Sequence, residues 1–129
     1  AKHAEQVGAD AIAAMCPSFF KPTTAESVVS YLKAVADEAP STPFIYYYFP
    51  TMDGVSANFE RIMELGGNEI PTLSGAKFTA NAVDQAMSVA AMGDGKFEVF
   101  IGLDTVSIVI IIRIIQDSRI PQISLNLLK

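Results

Sequence analysis

Four short apolar runs, beginning at residues 11, 44, 75 and 97, alternate with segments of helical spacing, and this rhythm admits few architectures. The first, Ala11-Ile12-Ala13-Ala14-Met15-Cys16, is small and continuously apolar, the pattern of a strand buried on both faces. Phe44-Ile45-Tyr46-Tyr47-Tyr48 is aromatic and β-branched, and Pro50 with the turn Met52-Asp53-Gly54 stops it. Leu73-Ser74-Gly75-Ala76-Lys77-Phe78-Thr79 forms the third run, and Phe97-Glu98-Val99-Phe100-Ile101 the fourth, leading to Gly102-Leu103-Asp104. Residues 1–7 read as the last turns of a helix, with Gly8 as its C-cap. The next helix opens on a capping box of Thr23 with Glu26 and turns Val28, Tyr31, Leu32 and Val35 inward until Pro40 ends it. Ser56 is placed to cap a helix carrying Phe59, Ile62 and Met63, closed by Gly66-Gly67. Asn81 is placed to cap another, with Val83, Ala86, Met87 and Ala90 inward and Gly93 at its end.

Such alternation predicts parallel strands joined by right-handed crossovers, in an open doubly wound sheet or in part of a (β/α)8 barrel. Periodicity does not decide between them. A barrel takes roughly 250 residues, so the chain of 129 supplies about half of one. From its first residues it reads as a piece that begins mid-helix. Beyond Asp104 the character changes: residues 106–115 are dominated by β-branched apolar side chains, and residues 116–129 show no clear helical face. The expected division is therefore a partial barrel over 1–104 and a divergent, isoleucine-rich tail over 105–129, the exposed form of which is an aggregation hazard.

Composition narrows the function. Half the residues are apolar and 18% are charged, as in a globular domain. A net charge of −5 argues against nucleic acid or an anionic membrane surface as a partner. One cysteine, Cys16, permits no internal disulfide, and the single histidine, His3, offers no start for a metal cluster. Both fit a reducing, cytoplasmic setting. The run 106–115 is too short to span a bilayer and contains Arg113.

The chemistry-bearing residue is Lys77. On a strand, Lys77 and Thr79 share a face and Phe78 points away. A lysine aimed into a barrel interior is costly unless paired or deprotonated, and a desolvated amine attacks ketones to form a Schiff base. The plain alternative is a surface lysine on an edge strand.

Three segments, Gly8 to Pro22, Pro43-Phe44-Ile45-Tyr46-Tyr47-Tyr48-Phe49-Pro50 and Gly75-Ala76-Lys77-Phe78-Thr79, occur in an order and at a spacing that resemble the N-acetylneuraminate lyases. These are pyruvate-dependent class I aldolases of the dihydrodipicolinate synthase/neuraminate lyase superfamily. The similarity runs from Ala1 to about Asp104. It implies a (β/α)8 barrel and reversible cleavage of N-acetylneuraminate to N-acetylmannosamine and pyruvate, with no cofactor and no metal. It further implies Lys77 as the Schiff-base lysine, Tyr47 as the proton-shuttling tyrosine, and Thr79, Gly102 and Asp104 as substrate contacts. The family suggests a cytoplasmic homotetramer for the full-length enzyme.

Each assignment has an ordinary rival. The three tyrosines are also what a strand uses for packing, with Tyr46 and Tyr48 expected to face outward. Asp104 also suits a turn, Cys16 a small buried hydrophobe, and His3 a solvated position. The family generally has a glutamate where Thr105 stands, and the upstream serine/threonine-glycine loop that binds the pyruvate carboxylate is not found. The chain reads as a fragment, weak or inactive by itself. Two other readings stand beside it. One is a dihydrodipicolinate synthase-like aldolase, which usually has an arginine shortly after the proline of the tyrosine motif, where Thr51-Met52-Asp53-Gly54 stands here. The other is a non-catalytic half-barrel that associates with full-length subunits.

Overall fold

The computed structural model describes residues 1–103; Asp104 and the isoleucine-rich segment 105–129 lie outside the described residues, as does the boundary expected between them. Strands β1 (Ile12–Ala14), β2 (Phe44–Tyr48), β3 (Leu73–Phe78) and β4 (Glu98–Ile101) form one parallel sheet whose spatial order follows the chain. A short helix, α1 (Lys2–Gln6), precedes them, and α2 (Ala25–Ala36), the single turn α3 (Pro50–Asp53), α4 (Phe59–Glu69) and α5 (Val83–Ala91) lie between them. This is the expected βα alternation, and the sequential order is that of a barrel segment rather than a doubly wound sheet.

The core sits between the sheet and its helices. Tyr46, Tyr48, Phe78 and Val99 on one sheet face are buried, together with Val28, Val29 and Leu32 of α2 and Phe59, Ile62 and Met63 of α4. Phe59 is the keystone, with its ring 4.7 Å from that of Tyr48 and 4.9 Å from that of Phe78. The opposite face carries Ala13, Ile45, Tyr47, Lys77, Glu98 and Phe100, all exposed or half-buried. β1 is therefore not buried on both faces as its apolar run suggested: Ile12 is buried but Ala13 is exposed, because helices cover one side only among the described residues.

Several helix boundaries differ from expectation, for local reasons. Thr24, not Thr23, caps α2; its Oγ1 accepts from the Ser27 N–H at 3.2 Å, and Ser27 Oγ accepts from the Thr24 N–H at 3.2 Å. This one-residue shift turns Val28, Val29, Leu32 and Ala36 inward and leaves Tyr31 exposed, and the helix stops at Ala36, ahead of Pro40. Asn58 replaces Ser56 as the cap of α4, its Oδ1 accepting from the Arg61 N–H at 2.8 Å. Gly66-Gly67 does not close that helix, which continues to Glu69. The two glycines instead allow close packing: a Cβ on Gly66 would lie 2.8 Å from Leu73 Cδ2, and one on Gly67 2.6 Å from Phe97 Cζ. Asn81 caps nothing, since α5 begins after Ala82 without a side-chain cap and ends at Ala91 in a 3-10 turn over Met92–Asp94.

One irregularity sets the site. Phe44 pairs with Leu73, yet Ile45 pairs with Gly75, so Ser74 is an extra residue in β3. Its Oγ donates to the Thr72 carbonyl at 3.0 Å. Without this bulge, Leu73 and Lys77 would share a face, since side chains repeat with period two. With it, Leu73 packs into the core and Lys77 projects to the opposite side.

Candidate active site

The register places Tyr47, Lys77 and Phe100 in one row across β2, β3 and β4, on the face away from the helices. Lys77 Nζ lies 4.2 Å from the centroid of the Tyr47 ring, a cation–π distance. Tyr47 in turn stacks on Phe49, with centroids 5.9 Å apart. Both Lys77 and Tyr47 are half-buried. The phenol is thus held beside the amine from a neighbouring strand, with no loop flexibility between them.

Thr79 and Gly102 stand just beyond the C-terminal ends of β3 and β4. The Thr79 N–H donates to the Tyr48 carbonyl at 2.9 Å, and the Gly102 N–H to that of Phe78 at 2.8 Å, so the ladder continues past both strands. Gly102 lies directly against the lysine stem: a Cβ there would sit 3.2 Å from Lys77 Cε and 3.2 Å from Thr79 Cβ, and would collide with Thr79 Oγ1. Thr79 is buried, and its Oγ1 has no hydrogen-bond partner among the described residues. A buried hydroxyl without a partner is an open position for a ligand's polar group. Lys77, Tyr47, Thr79 and Gly102 are therefore brought together; Asp104 lies outside the described residues.

A cavity of about 250 Å³ opens beside the amine, lined by Ala11, Ala13, Ile45, Phe100 and their neighbours, with Lys77 its single charged side chain among the described residues. Small side chains from β1 leave the room, and Ile45 and Phe100 make the walls apolar. Sequence reasoning did not single out Ile45 or Phe100; strand register, which the sequence does not print, brings them to the lysine.

Behind the sheet lies a second set of polar groups. Tyr46 and Tyr48 face the helices, as expected, and Cys16 is buried against Tyr46, its Sγ 3.9 Å from the phenol oxygen. Burial pushes the Cys16 thiol up to about 11 and raises the phenols of Tyr46 and Tyr48, so all three stay protonated near neutrality. Cys16 is thus a small buried residue and no nucleophile. Asp53, read from sequence as a turn residue, is fully buried beside this group, and burial raises its carboxyl above the usual range despite the bond it accepts from the Val55 N–H. An Asp-Gly pair after proline signals a turn but carries no signal of burial. His3 is exposed, and no group of three or more His, Cys, Asp or Glu among the described residues is arranged to hold a metal ion. No helix among them is long and apolar enough to cross a membrane.

Comparison with known proteins gives relatives of the same fold. N-acetylneuraminate lyase of Gallus gallus is 38% identical over 105 residues, which cover 81% of this chain and 34% of the relative. The structure of the N-acetylneuraminate lyase (sialic acid aldolase) of Aliivibrio salmonicida superposes with a TM-score of 0.76 at 36% identity, over 80% of this chain and 34% of that one. A Ruminococcus gnavus sialic acid aldolase described as a catalytic lysine mutant superposes with a TM-score of 0.69 at 26% identity, covering 77% of this chain and 32% of that one. The chain thus spans about a third of the length of the relatives it matches. The model of the dihydrodipicolinate synthetase family matches residues 1–114. With a parallel βα segment, a lysine-bearing third strand and a family match over most of its length, the chain belongs to the dihydrodipicolinate synthetase family.

Proposed function

We propose that this chain carries the Schiff-base lysine and proton-relay tyrosine of a pyruvate-dependent class I aldolase acting on N-acetylneuraminate. The observation that supports this most is the Tyr47 ring 4.2 Å from Lys77 Nζ, at the edge of an apolar cavity. In this reading the Lys77 amine adds to the C2 ketone of the open-chain sugar acid, and loss of water leaves an iminium. Cleavage of the C3–C4 bond sends its electron pair into that iminium, giving an enamine. The C4 hydroxyl proton leaves at the same time and is relayed through Tyr47, so the C4 carbon departs as the aldehyde of N-acetylmannosamine. Protonation at C3 and hydrolysis release pyruvate and restore the amine. Thr79 Oγ1, without a protein partner, would meet a hydroxyl or carboxylate of the substrate, and Gly102 leaves space for it. Asp104, following β4, is assigned to the same sugar hydroxyls. The whole enzyme would be a cytoplasmic tetramer, with this chain contributing one part of its barrel.

The neuraminate reading is preferred to a dihydrodipicolinate synthase activity because no arginine follows Pro50 before Gly54. Borohydride trapping with pyruvate, read by intact mass and peptide mapping, tests the proposal. A pyruvyl adduct on Lys77, absent from Lys77→Arg, is the expected result. Failure to trap, under conditions where a full-length lyase traps readily, would leave a non-catalytic half-barrel as the better reading.

A further inference from the structure

Asp53 is a fully buried carboxyl at the end of α3, three residues after Pro50 and six after Tyr47. Its Oδ1 accepts from the Val55 N–H at 2.9 Å, whereas its Oδ2 has no hydrogen-bond partner among the described residues. The turn it closes is tightly specified: Pro50 opens it, Gly54 follows in the left-handed region at φ +71°, and the exposed Lys21 side chain lies over Gly54. Asp53 itself joins no ion pair among the described residues. The Met52 and Asp53 N–H groups donate to the carbonyl of Phe49, the residue on which Tyr47 stacks, and the Gly54 N–H donates to that of Pro50.

We propose that Asp53 is a positioning residue for Tyr47: it fixes the turn leaving β2, and through Phe49 it holds the Tyr47 ring over Lys77, a role that an uncharged amide of the same shape fulfils equally well. The inference rests on the Lys77–Tyr47 reading of the site. Backbone bonds shape the turn, but its exit at Val55 is tied by the Asp53 side chain, and removing that acceptor leaves the buried Val55 N–H stranded and loosens the turn. The charge is not needed for this. The groups facing the carboxyl are the Cys16 thiol from the end of β1, the Tyr46 and Tyr48 phenols from β2, and Lys21 from the β1–α2 loop, with Glu60 of α4 acting on Tyr48. Only Lys21 is a cation, and it favours the ionised form less than burial disfavours it.

Three measurements on the intact chain test this, comparing wild type with Asp53→Asn and Asp53→Ala. Lysine labelling reads the upfield ring-current shift that Tyr47 imposes on the Lys77 ε-methylene protons; Asp53→Asn should keep it and Asp53→Ala lose it. Borohydride trapping with pyruvate should be on the order of tenfold slower in Asp53→Ala and unchanged or faster in Asp53→Asn. The third is melting temperature between about pH 4 and 8. Burial raises the folded carboxyl above its unfolded value of 3.8, so this group's contribution to wild-type stability falls as pH rises above that value. Asp53→Asn does not, and its advantage should grow with pH. Retention of the ring-current shift in Asp53→Ala, or its loss in Asp53→Asn, overturns the proposal. Should Asp53→Ala fail to fold, the Asn variant alone decides by the same criterion. If wild type itself does not trap pyruvate, the Schiff-base reading fails while the ring-current comparison still decides the role of Asp53.

Discussion

Replacing Gly102 with alanine probes the point where the backbone of β4 touches the lysine. The added Cβ would meet three atoms: Lys77 Cε and Thr79 Cβ, each at 3.2 Å, and Thr79 Oγ1 inside any permitted separation. The hydroxyl contact must be relieved by rotating Thr79, and the two carbon contacts by a shift of a few tenths of an ångström. Overpacking of this kind costs about 1–3 kcal/mol, which corresponds to a fall in melting temperature of roughly 4 °C per kcal/mol for a domain of this size. The same shift moves the amine away from its position beside Tyr47, and pyruvate trapping should slow by about tenfold. Adding Thr79→Ala removes the oxygen contact and leaves the other two. The double variant should therefore regain part of the loss, with a coupling of about 1 kcal/mol in a double-mutant cycle. Urea unfolding and trapping rates of the four proteins provide the data. Strict additivity, or a Gly102→Ala protein as stable and as reactive as wild type, would refute the packing argument.

Two further outcomes concern the helix-covered side. Phe59→Ala empties the centre of the Tyr46, Tyr48 and Phe78 cluster and should cost about 3–5 kcal/mol in urea unfolding; a loss below 1 kcal/mol would place the core elsewhere. Cys16 titrates near 9.0 when unfolded and at about 11 when folded, so the unfolded state releases its proton first and stability should fall between those values. Cys16→Ala should flatten that alkaline decline, and an unchanged pH profile would contradict the burial argument.

The strand pattern made the fold legible because short apolar runs alternate with segments of helical spacing, and β2 forms over the stretch expected, Phe44–Tyr48. That Lys77, Tyr47 and Thr79 lie close together was legible in part, because strand alternation near the end of β3 puts two of them on one face and the tyrosine motif brings in the third. Caps were misplaced by one or two residues, since Thr23 and Thr24, or Ser56 and Asn58, offer the same side-chain chemistry and only backbone geometry chooses. Gly66-Gly67 misled because glycine serves close packing as well as termination. The bulge at Ser74 was nearly hidden. Its only trace in the sequence is Gly75, which the Glu98 carbonyl approaches too closely for any side chain.

The order β1-β2-β3-β4 has a consequence for how such a chain is made. Each of β2, β3 and β4 pairs with the strand synthesised just before it, so among the described residues every strand pairing closes a loop of a few tens of residues and none waits for a more distant partner. Loop closure on that scale is entropically mild, and a chain emerging from the ribosome at about 5–20 residues per second has seconds to dock each βα unit before the next appears. Lys77 and Tyr47 would face each other as soon as β3 has docked, before β4 has left the exit tunnel. The Tyr47 and Lys77 side chains are therefore brought side by side early, and β4 adds Phe100 to a row that already exists.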